Sequence, residues 1–313
     1  MRLSIAFIGA LMIGFNPVAG SAQISGASTL AAQIREQEKA VETDPGKSDG
    51  KEWLKLAILR QDAAQYRDAE RAYKRAIALL KPRDRATFAD ALDQMGTMYA
   101  ECGQFSKAEP LERKALEIRQ DGKDVLGIGV SHMHLAVLLL GEREFPSAEA
   151  AAQTAVNLLV PEQKQAAVQV AATPEEKMTA LIDLSLTRCA RQDCAAAIPD
   201  LRRALGIAHA NYAENSIPVG FLDFLLGYAL WKSGDNDSAE GWMRKGTQEL
   251  ETQLGWGHPT YVQVLRAYSV FLNGTGHTAE AKEITARIAK LERSPGFARM
   301  ASNHLSIGLD QLN

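Results

Sequence analysis

The chain is predicted to be all-α, a right-handed α-solenoid of about six helix hairpins with capping helices at both ends. Three observations predict this. "YRDAERAYKRAIAL" (Tyr66 to Leu79) and "FSKAEPLERKALEI" (Phe105 to Ile118) write the same helix twice, each with an aromatic three residues before one Ala and a second Ala seven residues on. Hydrophobic residues make up 46% of the 313 residues and aromatics only 6%. Such usage favours helices, since strands draw on β-branched and aromatic side chains. The alanine pattern also recurs at about 40 residues, the mark of a repeat array.

The repeat can be followed along the chain. Its anchors are Ala69/Ala76, Ala108/Ala115, Ala148/Ala155 and Ala197/Ala204, then Ala239/Gly246 and, most weakly, Ala281/Ile288. Two small residues seven apart place a small patch on one helix face, two turns apart, where a second backbone can come close. Gly103, Gly234 and Gly276 precede three of these helices as turn formers. Upstream of each anchor lies another apolar helical run, such as "WLKLAILR" from Trp53 or "FLLGYALW" from Phe224. Each unit is therefore helix, turn, helix. One hairpin cannot bury its apolar face alone, so neighbours must stack.

The pattern resembles the tetratricopeptide repeat. The first copy carries Trp53, Leu56-Ala57, Tyr66, Ala69, Tyr73, Ala76 and Pro82. The second carries Leu92, Met95-Gly96, Tyr99, Gly103, Phe105, Ala108 and Ala115. The long period and "LGWGHPTYV" (Leu254 to Val262) are closer to the kinesin light chain subtype. The array is expected over 50–293, with copies at about 50–83, 89–122, 129–160, 178–213, 220–253 and 262–293 and a Pro-bounded insertion at 161–177.

The ends differ from the array. Residues 1–22 have the tripartite form of a signal peptide: a basic start, the apolar "LSIAFIGALMIGF", then small residues up to Ala22. The apolar run is short for a membrane span, which needs roughly 20 residues. An exported, periplasmic or secreted protein is expected, of bacterial source, without an integral span after cleavage. Residues 23–49 read as a capping helix and turn. Residues 294–313 read as a tail in which Leu305, Leu309 and Leu312 form one helical stripe, either capping the last repeat or plugging the groove.

Little in the sequence signals chemistry. Lys and Arg number 35 against 38 Asp and Glu, net charge -3, with no basic stripe, so nucleic-acid binding has no electrostatic footprint. His132 and His134 stand two apart on a helix and point in different directions. "GTGHTA" from Gly274 follows a helix rather than a strand, which makes it a hairpin turn and not a dinucleotide fingerprint. His258 belongs to a Gly-His-Pro turn. No catalytic residue, cofactor or metal site is assigned. Of three cysteines, Cys102, Cys189 and Cys194, the last two flank the fourth hairpin turn and either form a disulfide there or are two small buried residues.

The resemblance implies a peptide-binding groove lined by the first helix of each repeat. Carried over residue by residue, it includes Asp90, Asp93, Met133, Val137, Leu140, Ile182, Leu186, Phe221, Phe224, Tyr228, Trp231 and Arg266. Asp90 and Asp93 stand where carboxylate-gripping relatives place basic or amide groups, so that clamp is absent. The expected function is a non-catalytic scaffold or adaptor of the cell envelope, holding a protein or peptide partner in an apolar and aromatic groove. The alternative is a self-associating structural protein, a homodimer through the groove or an end repeat.

Overall fold

A computed structural model describes residues 23–42, 49–80, 84–161, 171–294 and 297. The expected signal peptide at 1–22 and the leucine stripe of the tail lie outside the described residues, as does most of the insertion at 161–177. The described residues form an all-α repeat fold of thirteen helices without a strand. After α1 (Gln23–Glu42) come six hairpins: α2 (Gly50–Asp62) with α3 (Tyr66–Leu80), α4 (Arg85–Glu101) with α5 (Phe105–Asp121), and α6 (Val125–Gly141) with α7 (Phe145–Leu159). The last three are α8 (Pro174–Ala190) with α9 (Cys194–Asn211), α10 (Ile217–Lys232) with α11 (Asn236–Leu254), and α12 (Pro259–Gly274) with α13 (Thr278–Glu292).

The hairpin turn is one device used six times. The residues at its centre, Ala64, Gly103, Arg143, Gln192, Gly234 and Gly276, all have positive φ. The next residue donates its N–H to the carbonyl five positions back, as in Gln104 to Tyr99 (2.8 Å), Glu144 to Leu139 (2.8 Å) and His277 to Leu272 (2.8 Å). This satisfies carbonyls that the ending helix leaves without partners. Side-chain caps start two of the helices that follow, where Asp193 accepts from Ala196 N (3.2 Å) and Asp235 from Ser238 N (3.1 Å), and Asp84 caps the first helix α4 by accepting from Thr87 N (3.1 Å). At Thr173 a full capping box with Glu176 opens α8.

The small-residue anchors lie at the packing surfaces. Ala69, Ala76, Ala108, Ala115, Ala148, Ala155, Ala197, Ala204 and Ala239 are fully buried. The tightest hairpin is α10–α11, where the anchor becomes Gly246: a Cβ there would lie 2.4 Å from Gly220 O and 2.5 Å from Phe224 N. A side chain of any size would force these two backbones apart.

Packing between hairpins is one-sided. Each second helix packs on the first helix of the next hairpin. First helices also touch one another, α2 with α4, α4 with α6, α6 with α8 and α10 with α12, whereas no second helix packs comparably on the next second helix. First helices are thus crowded on an inner face, except between α8 and α10, while the second helices splay on the outer one. At the N-terminal end α1 covers α2, burying Ile34 and Val41 and pairing Glu38 with Arg60 at 2.9 Å.

Candidate functional site

The inner face is where the sequence places its groove, and the residues fall into two groups there. Asp90 is exposed, and Val137, Trp231 and Arg266 are half-buried. Met133, Leu140, Ile182, Leu186, Phe221, Phe224 and Tyr228 are each no more than 6% exposed, and Asp93 only 2%. The expected continuous apolar strip is therefore not an open surface. The physical reason is close helix packing: side chains that would line a wider groove pack sideways against the neighbouring second helices and, except between α8 and α10, against the next first helix. Phe224 also meets α11 at its closest approach, where Gly246 leaves room for its backbone.

What stays accessible is a sparser row. Trp231 stands edge-on to Tyr228 (centroids 5.8 Å) and to Phe271 of α12 (5.6 Å). Lys232 Nζ lies 4.2 Å from the Trp231 ring, a cation–π arrangement, and burial pushes the Lys232 amine down from its ordinary range. Arg266 pairs with Glu292 across the last hairpin. Cys189 and Cys194 are joined as a disulfide across the fourth turn, and Cys102 is a free thiol.

The inner face also holds a polar node that the sequence reading missed. Arg119 of α5 is buried and donates from Nη1 to Asp93 Oδ1 (2.9 Å) and Ser131 Oγ (2.7 Å), and from Nη2 to Asp90 Oδ1 (2.9 Å). The His134 ring of α6 places Nδ1 3.0 Å from Asp93 Oδ1 and 3.6 Å from Glu112 Oε2. Neither buried carboxylate oxygen of Glu112 has a hydrogen-bond partner. Asp183 of α8, also buried, has an unpartnered Oδ2 and lies within electrostatic reach of His134.

The electrostatics are polarised. Burial opposes the Asp93 charge, but His134 and Arg119 outweigh it and hold the carboxyl well below its usual range. Burial and the Asp93 charge push Glu112 up to about 8, and burial pushes Asp183 up to about 8. Burial disfavours a charged His134, yet Asp93 and Glu112 prevail and hold the imidazole well above its ordinary value.

One signal of the node was present in the sequence. Glu112 falls four residues after its anchor alanine, the place of Tyr73, Ala152, Leu201 and Met243 in other copies, all buried. A carboxylate in that inward register needs a partner. Gly96 accommodates it, since a Cβ there would lie 2.6 Å from Glu112 Oε1.

Comparison with known proteins agrees with this architecture. Residues 88–121 match the family model described as tetratricopeptide repeat. No curated protein matches the chain. Among solved structures, the chain is similar to BtubC (BKLC) from P. vanneervenii at 20% identity and TM-score 0.57, over 74% of this chain and 92% of that one. A tetratricopeptide repeat protein from Parabacteroides merdae is similar at 10% identity and TM-score 0.59, over 94% and 99%. A Rap protein complexed with Competence and Sporulation Factor is similar at 14% identity and TM-score 0.54, over 83% and 80%. At such identities the likeness is one of fold.

Proposed function

We propose that the chain is a non-catalytic protein–protein interaction scaffold of the cell envelope, which holds a peptide or helical segment of its partner along the inner face. The observation that carries this reading is the row of accessible inner-face side chains, Asp90, Val137, Trp231 and Arg266, each set on the first helix of a packed hairpin. A half-buried Trp beside a cation is the kind of anchor on which interfaces concentrate their energy. The Rap protein of similar fold is held in complex with a factor, which supports partner binding as the use of such a fold. Residues 1–22, apolar behind a basic start, support export.

The test uses substitutions at accessible positions, since the buried ones would unfold the repeats. Wild type and the variants Val137→Asp and Trp231→Ala are compared by cross-linking and pull-down from envelope extract, with circular dichroism to confirm folding. The expected result is a protein recovered by wild type and lost or reduced at least about tenfold with either variant. Equal recovery of the same proteins by all three overturns the inner face as the binding surface.

A further inference from the structure

Two buried carboxylates and an imidazole converge in the second and third hairpins. Asp93, Glu112 and His134 come from three helices, α4, α5 and α6, and offer one ligand atom each, all within 4.8 Å of one another. We propose that Asp93, Glu112 and His134 bind a divalent transition-metal cation of the Zn²⁺ class, which clamps these two hairpins together.

The geometry fits the ion. Zinc bonds of about 2.0–2.2 Å to oxygen and nitrogen make the edges of a tetrahedral site about 3.4 Å long. His134 Nδ1 lies 3.0 Å from Asp93 Oδ1 and 3.6 Å from Glu112 Oε2, on either side of that length. A small inward rotation of the side chains leaves a fourth position for water. One imidazole and two carboxylates are a donor set that suits zinc.

Two observations point to a cation rather than to a closed hydrogen-bond network. The first is Glu112, whose side chain is 1% exposed and aimed at His134 while neither oxygen meets a donor. Gly96 leaves its carboxylate room where any other residue would press on it. The second is the crowding of carboxyl groups. Asp90, Asp93, Glu112 and Asp183 are four carboxyl groups around one permanent cation, Arg119, whose Nη atoms already serve Asp90, Asp93, Ser131 and the Gly127 carbonyl. A divalent ion would sit where these carboxyl groups crowd together and the donors are missing. Arg119 would then serve as an outer partner that orients Asp93. The His134 side chain, 26% exposed, gives the ion a way in from solvent.

The purified chain, stripped with chelator and dialysed, is titrated with Zn²⁺ by calorimetry and with Co²⁺ by visible absorption. The expected result is one equivalent per chain and the d–d bands of a four- or five-coordinate nitrogen and oxygen site. Glu112→Gln and His134→Gln should each weaken binding by more than about tenfold with helicity unchanged. Should a variant fail to fold, anomalous scattering from a Zn²⁺-soaked wild-type crystal decides, by placing the ion among the three side chains or elsewhere. No uptake, uptake insensitive to both substitutions, or a thiolate-to-cobalt charge-transfer band pointing to Cys102 overturns the site.

Discussion

A Cβ built on Gly246 would sit 2.4 Å from one backbone atom of α10 and 2.5 Å from another, whereas one on Gly206 in α9 meets nothing within 4 Å. The two glycines therefore respond in opposite senses. Gly246→Ala should cost about 1–3 kcal/mol through overpacking. Gly206→Ala should gain about 0.5–1 kcal/mol by removing backbone freedom from the unfolded chain. Urea unfolding of both variants checks the pair, and equal effects would contradict the close approach. A second residue-scale prediction concerns Glu101 at the end of α4. Burial pushes its carboxyl from the ordinary value near 4.5 up to about 7, with Asp62 adding to the shift and Gln61 opposing it. The folded state therefore holds this proton more tightly than the unfolded one. The cost of ionisation is absent below about 4.5 and complete above about 7, so stability falls between those values. Glu101→Gln should leave stability unchanged at the acid end and raise it by about 2 kcal/mol above the window, after screening. Thermal melts at both ends of the window test this. Single residues were unevenly legible in the sequence. The anchor alanines could be read because their role follows from spacing alone. His134 could not, because its partners come from other helices.

The hairpin is the next scale, and its turn imposes positive φ on whichever residue occupies the centre. Three copies meet that demand with glycine and three with Ala64, Arg143 and Gln192. The glycine turns were readable in advance, the others only from helix periodicity on either side. In the fourth hairpin the Cys189–Cys194 bond closes the turn across five residues. Loop-closure entropy gives such a link about 2 kcal/mol of stability. Reduction, or the double change Cys189→Ser/Cys194→Ser, should lower the unfolding free energy by that amount, read from urea unfolding. No response of wild type to reductant would show that the bond adds nothing to the folded state. The capping box that opens α8 offers an independent check: Thr173→Ala should cost about 1 kcal/mol.

At the scale of the whole molecule, contact between hairpins is uneven. It is thinnest where α11 meets α12, and the α12–α13 hairpin is itself the least extensively packed of the six, while α10–α11 is the most. In a linear array each hairpin depends on its neighbours alone. Hydrogen exchange should therefore find α12–α13 opening first, with protection below that of α10–α11 by about tenfold or more. Uniform protection across both would contradict this. Helix order and hairpin count were legible in the sequence because the period is local. The openness of the inner face was not, since it depends on how closely six separate helices crowd together, and Met133, Phe224 and Tyr228 look the same in sequence whether they face solvent or each other. That crowding has a mechanical side. With first helices in contact along one edge, save between α8 and α10, and second helices apart along the other, the array resists closing further and yields to opening. A load pulling on its ends would first spread the inner edge, as a coil spring lengthens before its wire breaks. Extension of this kind leaves each hairpin folded, because the turn and the packing within it are not what yields.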